Sequence, residues 1–264
     1  MSVRRKRVGL IGYGFIGKQV LARLLQNDAL EPAFVFNRSA AALAEVPAAL
    51  RLAELADAAS RRADLIVEMA HPDYTRRFGV QLLRHADYLP LSVTALADDG
   101  LHEALLATAA AHGTRLFIPH GALIGTDSLL EGRDRWDTVR ITFVKNPAHI
   151  DFSESGFDPA RIAGETVVYD GPVRGIAARY PRNVNTMVTC ALATTGLDAC
   201  EARLVALPGY DRGRILVEAA GRDGSRLVLQ KEQPMAGVSG TEMVDSQWTS
   251  ICRAAGAAGD AGFV

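Results

Sequence analysis

Residues 7–17 read RVGLIGYGFIG, a short apolar run that leads into glycines spaced G-x-G-x-x-G. Gly12 permits a tight turn, Gly14 lets the backbone approach a diphosphate, and Gly17 allows a helix to pack closely on the preceding strand. The N-terminus of that helix offers unpaired N–H groups and partial positive charge to the phosphates. This start predicts a dinucleotide-binding unit of strand, turn and helix.

Strand-like and helical patterns alternate through about residue 119. A second strand (PAFVFN) precedes an Ala-rich helical stretch broken by Pro47, and DLIVEMA, YLPLSV and RLFIP are predicted as further strands with helices between them. Such alternation is typical of a parallel sheet covered on both faces. We therefore predict a Rossmann domain over residues 1–122.

The pattern changes in residues 123–237, which contain short strand-like runs separated by turn residues. One helix is predicted at about residues 184–195, and Arg203 to Gln233 is predicted to form an antiparallel meander. The last stretch, residues 238–264, has helical spacing and is expected to pack back on the first domain. The predicted fold class is α/β, an N-terminal Rossmann domain with a second mixed α/β domain.

Composition argues against several classes of protein. The formal net charge is −1 and no apolar run approaches the length of a membrane span, so neither nucleic acid nor a membrane is an expected partner. Cys190, Cys200 and Cys252 lack metal-ligand spacing. We expect no metal site, and reduced thiols in a cytoplasmic protein.

The choice of cofactor depends on Asn37, Arg38 and Ser39, which follow the second predicted strand. Units that bind NAD usually carry a carboxylate there, which binds the ribose hydroxyls and repels a 2′-phosphate. Arg38 can pair with a phosphate and its neighbours can hydrogen-bond, so NADP is predicted, with NAD as the alternative. A competing interpretation is that Arg38 only lies on the surface. The other candidate cofactor contacts in this domain are Phe15, Ile16, Ala70 and His71.

Three stretches resemble the L-aspartate dehydrogenase family: DLIVEMAHPD, PHGALIGTDSL (residues 119–129) and RYPRNVNTMVTCALATTGLD (residues 179–198). The resemblance covers most of the chain. It implies a Rossmann domain joined to an α/β catalytic domain, commonly in a homodimer. The implied activity is an NAD(P)-dependent oxidoreductase whose small-molecule substrate is aspartate or its imine, formed from oxaloacetate and ammonia.

By that resemblance, Ala122 and Asn185 lie near the nicotinamide, and Asn183 supports the same turn. Gly121 and Ala122 are small enough for the ring to approach the backbone, and amide side chains offer both donors and acceptors. Capping of the following helix is the alternative role of both asparagines.

The sequence departs from the family at its proposed catalytic histidine, which lies in a strand motif resembling Asn-x-His-Glu-Ile. An ungapped comparison over Pro208–Gly221 puts Ile215 at that position, and no histidine follows His149. A general acid or base contributes about 10²- to 10⁴-fold in rate, so the parent reaction requires a replacement. His120, where the family usually has a serine, is the first candidate, with Asn185 beside it, and His149 is the second.

Two further questions stay open at this stage. The aliphatic Ile215 favours an altered substrate, and a catalytically weak NADPH-binding protein with a sensory or partner role is the alternative function. A substrate carboxylate also requires a cation. The candidates in the second domain are Lys145, Arg174, Arg179 and Arg182.

Overall fold

The computed structural model describes residues 4–236 and 239–257. The chain divides into two compact units, one formed by residues up to Pro119 together with residues from Val244 onward, and the other by His120–Met243. Each unit is built around its own β-sheet. This organisation confirms the α/β fold class predicted from the sequence.

The first unit contains a five-stranded parallel sheet with the strand order β3-β2-β1-β4-β5. Its strands are β1 (Lys6–Ile11), β2 (Leu30–Phe36), β3 (Arg51–Leu52), β4 (Leu65–Glu68) and β5 (Asp87–Pro90). The helices between them are α1 (Phe15–Leu25), α2 (Pro72–Leu83) and α3 (Asp99–His112). Strand β4 is buried along its whole length, as expected for a parallel strand covered on both faces.

The second unit contains a six-stranded mixed sheet with the order β11-β10-β9-β6-β8-β7. Its helices are α4 (Thr126–Glu131), α5 (Val173–Arg179) and α6 (Asn185–Ala193). Its strands are β6 (Trp136–Lys145), β7 (Thr166–Pro172), β8 (Glu201–Ala206), β9 (Arg212–Gly221), β10 (Arg226–Ala236) and β11 (Ser239–Gly240). Strands β6 and β8 are parallel, and the other neighbours are antiparallel.

The last helix, α7 (Met243–Ala254), contributes to the core of the first unit. Ile251 and Ala254 are buried in the same apolar cluster as Val8 and Leu10 of β1. Arg23 of α1 forms an ion pair with Asp245 at the start of α7. The predicted C-terminal segment, residues 238–264, extends beyond α7, and residues 238 and 258–264 lie outside the described residues.

The Ala-rich stretch after β2 is not an α-helix, so that prediction is wrong. It forms three short 3₁₀ helices, Ala40–Leu43, Ala48–Leu50 and Leu55–Arg61. Pro47 has no N–H to donate and lies between the first and second of them, so one continuous α-helix is unfavourable here. Strand β3 then pairs with Val35 and Phe36 at the end of β2, which draws the chain into the sheet.

The prediction of an antiparallel meander from Arg203 to Gln233 is wrong for its first pair of strands, β8 and β9. Strand β8 lies between β6 and β7, whereas β9 lies on the other side of β6, so only β9 and β10 are neighbours as a meander requires. The run RLFIP forms a single bridge, between Leu116 and Tyr88, rather than a strand. The sequence did not predict α4 or α5, whereas α6 matches the helix predicted at 184–195.

Candidate cofactor and substrate sites

The predicted cofactor contacts of the first unit lie at the carboxyl ends of three neighbouring strands. Strands β2, β1 and β4 are adjacent and parallel, and they end at Phe36, Ile11 and Glu68. The groups of candidates that follow them are Asn37, Arg38 and Ser39 after β2, Gly12, Gly14, Phe15, Ile16 and Gly17 after β1, and Ala70 and His71 after β4. Parallel sheets of this kind bind nucleotides at this edge.

The glycine turn has the geometry that a diphosphate requires. Gly12 has a φ of +107°, and a Cβ there would lie 2.8 Å from the carbonyl oxygen of Met69. A Cβ on Gly17 would lie 2.3 Å from the carbonyl oxygen of Gly12, so α1 can approach the turn only because this residue is glycine. In contrast, a Cβ on Gly14 would meet no atom within 4 Å. Phe15, 69% exposed, begins α1, whose first turn has no acidic residue, so this helix end fits a phosphate.

Asn37 ties the end of β2 to the glycine turn. Its Oδ1 accepts a hydrogen bond from the backbone N–H of Tyr13 at 3.2 Å, and its Nδ2 donates to the carbonyl oxygen of Ser39 at 3.2 Å. Arg38 is exposed and forms no hydrogen bond or ion pair within residues 4–236 and 239–257. Its guanidinium is therefore available to a phosphate group of a ligand.

A buried carboxylate holds the third group of candidates in place. Glu68 ends β4 and is 0% exposed. Its Oε1 accepts the backbone N–H groups of Ala70 at 2.6 Å and His71 at 2.8 Å, and the hydroxyl of Ser92 at 3.1 Å. Its Oε2 accepts the N–H of Ser92 at 3.2 Å. Glu68 was not among the residues predicted from the sequence, where its only signal is an acid inside the apolar run DLIVEMA.

Glu68 is expected to give the free energy of unfolding a specific pH dependence. Burial raises its pKa from 4.5 to about 7, against the opposing effect of the hydrogen bonds from Ala70, Ser92 and His71. Between these two pH values the folded state binds more protons than the unfolded state, so the stabilising contribution present below about pH 4.5 is lost as pH rises through 7. The loss is on the order of 3 kcal/mol.

The measurement is urea unfolding of wild type and Glu68→Gln at several pH values between 4.5 and 8. The glutamine variant lacks the titrating group, so the wild-type free energy of unfolding should fall relative to that of the variant across this range. If the free energy of unfolding changed equally with pH in the two proteins, the raised pKa of Glu68 would be contradicted, since all other groups titrate alike in both.

In the second unit, the loop that contains His120 meets the start of α6. The N–H of Ala122 donates to Oγ1 of Thr186 at 3.3 Å, and the N–H of Leu123 donates to the carbonyl oxygen of His120 at 2.9 Å. Asn185 is the first residue of α6. The unit therefore brings together the segments that carry His120, Ala122 and Asn185. Thr186, which joins them, was not predicted from the sequence.

Asn183 fixes a second loop to the same turn. Its Oδ1 accepts the N–H of Asp151 at 2.9 Å, and its Nδ2 donates to the carbonyl oxygen of His149 at 3.2 Å. The N-cap of α6 is Val184, with no side-chain capping hydrogen bond. The capping alternative for Asn183 is therefore wrong, because its amide is committed to residues 149–151.

Ile215 lies in a buried, apolar part of the second sheet. It is 4% exposed on β9 and pairs across the strands with Phe143 of β6. The position that the resemblance gives to the family histidine thus carries a side chain without proton-transfer chemistry.

Three of the candidate cations are solvent-accessible arginines that contact other side chains. These pairs are Arg174 with Asp198 at 2.6 Å, Arg182 with Asp151 at 2.9 Å, and Arg179 with the ring of Tyr169 at 5.7 Å. Lys145 differs because it is only 7% exposed. Burial lowers the pKa of its ammonium group from 10.5 to about 8.

Comparison with known proteins finds a related family for each of the two units. The family described as "Homoserine dehydrogenase, NAD binding domain" matches residues 12–119, and the family described as "Aspartate dehydrogenase, C-terminal" matches residues 129–244. An aspartate dehydrogenase domain-containing protein of Xenopus tropicalis is 34% identical, with 97% of each chain covered. The chain belongs to the L-aspartate dehydrogenase family.

Other members of the aspartate dehydrogenase family support the same placement. An L-aspartate dehydrogenase of Ralstonia nicotianae is 32% identical over 87% of this chain and 89% of its own. The crystal structure of aspartate dehydrogenase from Thermotoga maritima matches with a TM-score of 0.74 and 25% identity, over 99% of this chain and 100% of that chain. The resemblance seen in the sequence is confirmed, and the protein is classed with the NAD(P)-dependent dehydrogenases that act on amino acids.

Two further features concern membranes and metals. Among the described residues, no helix is long and apolar enough to cross a membrane. Within the same part of the chain, no cluster of three or more histidine, cysteine or acidic side chains is placed to hold a metal ion.

Proposed function

We propose that this protein is an NADP-dependent dehydrogenase that interconverts aspartate and the imine formed from oxaloacetate and ammonia. The observation that carries the proposal is the open glycine turn beside the exposed Arg38, in a chain whose second unit matches the aspartate dehydrogenase C-terminal family. Reduction of one imine consumes one reduced cofactor and one proton. The nicotinamide supplies the hydride when bound, and the protein contributes positioning and proton transfer.

Each group of site residues has a role in this proposal. The turn from Gly12 to Gly17 and the N-terminus of α1 bind the diphosphate, and Arg38 binds the 2′-phosphate. Ala122 and Asn185 contact the nicotinamide. His120 is the proposed proton donor and acceptor, because an imidazole changes charge near neutral pH and its loop is anchored at α6 through Thr186.

Ile215 favours a modified substrate range and supports a second candidate function. Its aliphatic side chain makes one wall of the second unit more apolar, which favours oxo acids with apolar side chains beside oxaloacetate. The loss of a histidine worth about 10²- to 10⁴-fold in rate also favours a catalytically weak NADPH-binding protein with a sensory or partner role. The two functions differ in whether any oxo acid is turned over.

The resemblance to the family further favours a cytoplasmic homodimer acting on a small-molecule substrate. Sedimentation of the purified protein tests the oligomeric part of this proposal. A dimer mass that persists on dilution to working concentrations supports it, and a monomer mass contradicts it.

The experiment that tests the proposed activity is NADPH oxidation by the purified protein with oxaloacetate and ammonium. Turnover should require both substrates and should be faster with NADPH than with NADH. His120→Ala should lower kcat by about 10²- to 10⁴-fold with little effect on the Kd for NADPH. His85→Ala is the matched control, since His85 is an exposed histidine just after α2.

One outcome would count against the proposed activity and another against the proposed role of His120. Tight NADPH binding without turnover of oxaloacetate, pyruvate or 2-oxobutyrate would favour the second candidate function. Turnover that is unchanged in His120→Ala would assign the proton transfer to another residue.

A further inference from the structure

Lys145 is a cationic side chain in a buried position, where an ammonium group is poorly solvated. It ends β6 and is 7% exposed, and its Nζ lies 3.5 Å from the carbonyl oxygen of Asn183 and 5.0 Å from the ring centroid of Phe143. Lysine is rarely buried to this degree, because removing an ammonium group from water is costly. A buried charge contributes little to stability, so its presence here directs attention to a binding role.

The sheet around Lys145 presents an apolar wall. Alternate residues of a strand share one face, so Lys145 lies on the same face of β6 as Phe143, whose partner across the strands is Ile215. On that face β9 carries Gly213, Ile215 and Val217, all of them buried. Diagonal side-chain positions on neighbouring strands lie roughly 7–8 Å apart, a distance that a lysine side chain spans. The ammonium lies over the ring of Phe143, and Phe143 is the cross-strand partner of Ile215 in this wall.

Asn183 joins this ammonium group to a second buried nitrogen. Its side chain holds residues 149–151, while its own carbonyl oxygen faces Lys145. In that loop, Nδ1 of His149 is shielded from solvent and has no hydrogen-bond partner among the described residues. Buried polar atoms nearly always have a partner, so this nitrogen is a further sign that a ligand or an ordered water belongs here.

We propose that Lys145 is the cation that binds a carboxylate group of the substrate, with Asn183 as the residue that positions it. The proposal rests on the proposed function for its substrate class, a small amino, imino or oxo acid. A charge-assisted pair between an ammonium and a carboxylate is stronger in poorly solvated surroundings than in water. The apolar side chains of Phe143 and Ile215 then face the carbon chain of the same molecule.

The test is binding of succinate, an unreactive dicarboxylate, to the protein with NADPH present, measured by calorimetry. Lys145→Met should weaken succinate binding by at least about 10-fold, as expected for the loss of a charge-assisted pair. Its Kd for NADPH should stay within about threefold of wild type, and its melting temperature should be equal or higher, because a buried charge is replaced by an apolar side chain of similar length. Arg179→Met, which removes a competing candidate cation, should bind succinate as wild type does.

The pH dependence provides a second readout. Because burial lowers the pKa of Lys145 to about 8, the ammonium charge and the wild-type affinity for succinate should both decline as pH rises through that value. The other titratable groups joined to it through Asn183 are His149 and Asp151, and Asp151 is paired with Arg182. His149→Gln should keep the decline above pH 8, and Lys145→Met should lose it.

Several results would overturn the proposal. Wild-type affinity for succinate in Lys145→Met would do so, as would a lower melting temperature accompanied by loss of NADPH binding, which indicates a structural role. In turnover assays Lys145→Met should have a higher KM for the oxo acid and a kcat within about threefold of wild type. The reason is that the lost pair stabilises the bound substrate and the transition state equally. A fall in kcat at unchanged KM would instead assign Lys145 to proton transfer. If the wild type turns over nothing but binds succinate through Lys145, only the proposed function fails.

Discussion

Replacing Gly14 with alanine is expected to raise the Kd for NADPH by about 10- to 100-fold, because the added methyl group occupies the space that the diphosphate approaches. The free energy of unfolding should stay within about 0.5 kcal/mol of wild type. A Cβ at this position meets no protein atom within 4 Å, and the backbone at Gly14, with φ of −83°, is open to alanine. Fluorescence titration with NADPH and urea unfolding measure the two quantities.

Gly17→Ala is the informative comparison, because this substitution should lower the free energy of unfolding. Its Cβ would lie 2.3 Å from the carbonyl oxygen of Gly12, so the turn or α1 must shift. We expect a loss of about 1–3 kcal/mol in the free energy of unfolding, as for other overpacked sites. If Gly14→Ala bound NADPH as wild type does, the diphosphate would not lie against this turn and the assignment of the cofactor edge would be wrong.

The second large effect is expected at Arg38. Arg38→Ala should raise the Kd for NADPH by about 10- to 100-fold, the usual worth of a hydrogen-bonded ion pair, and leave the Kd for NADH within about threefold. The reason is that only NADPH carries the 2′-phosphate that the exposed guanidinium would bind. Titration of each variant with both cofactors measures the ratio of the Kd values for NADPH and NADH directly.

Two further variants make this test specific. Arg84→Ala removes another exposed arginine, at the far end of α2 from the cofactor edge, and should change neither Kd. Asn37→Asp keeps an oxygen that accepts the N–H of Tyr13 but adds a charge that repels a 2′-phosphate, so it should favour NADH. Equal loss of NADH and NADPH binding in Arg38→Ala would mean that Arg38 supports the loop and does not select the cofactor.

The position of the candidate cofactor residues at one edge of the sheet could be predicted from the sequence, because it depends on local rules. A glycine that must accept a φ of +107°, as Gly12 does, leaves a sequence signal, and so does a residue placed directly after a strand, as Asn37 is. The alternation of strand and helix then implies a parallel sheet, and the carboxyl ends of its strands meet at one edge. The segment carrying Asn185 was predicted from its resemblance to the family and from its helical spacing.

Other features depend on contacts between distant residues and left little sequence signal. The order of β6, β8 and β9 depends on which strands pair, and turn residues between strands do not specify their neighbours. Glu68 becomes important through Ser92, which is 24 residues away. Lys145 was one of four candidate cations in the sequence, and only its burial distinguishes it from the arginines.

The position that the resemblance gives to the family histidine links the two proposals. Ile215 supplies no titratable side chain there, while Lys145 and Phe143 occupy the same face of the sheet. In the proposals, Lys145 provides charge for the substrate and His120 provides proton transfer. A double variant of Lys145→Met and His120→Ala should therefore combine a raised KM with a lowered kcat, since each change acts on a separate step.

The measurement that tests the proposed activity most directly is isotope tracing with NADPH deuterated at nicotinamide C4. Purified protein is incubated with this cofactor, oxaloacetate and ammonium, and the products are analysed by mass spectrometry. We predict aspartate carrying one deuterium at its α-carbon, with no such product when ammonium is omitted. Deuterium found only in malate, or no labelled product despite bound cofactor, would contradict an aspartate dehydrogenase activity for this protein.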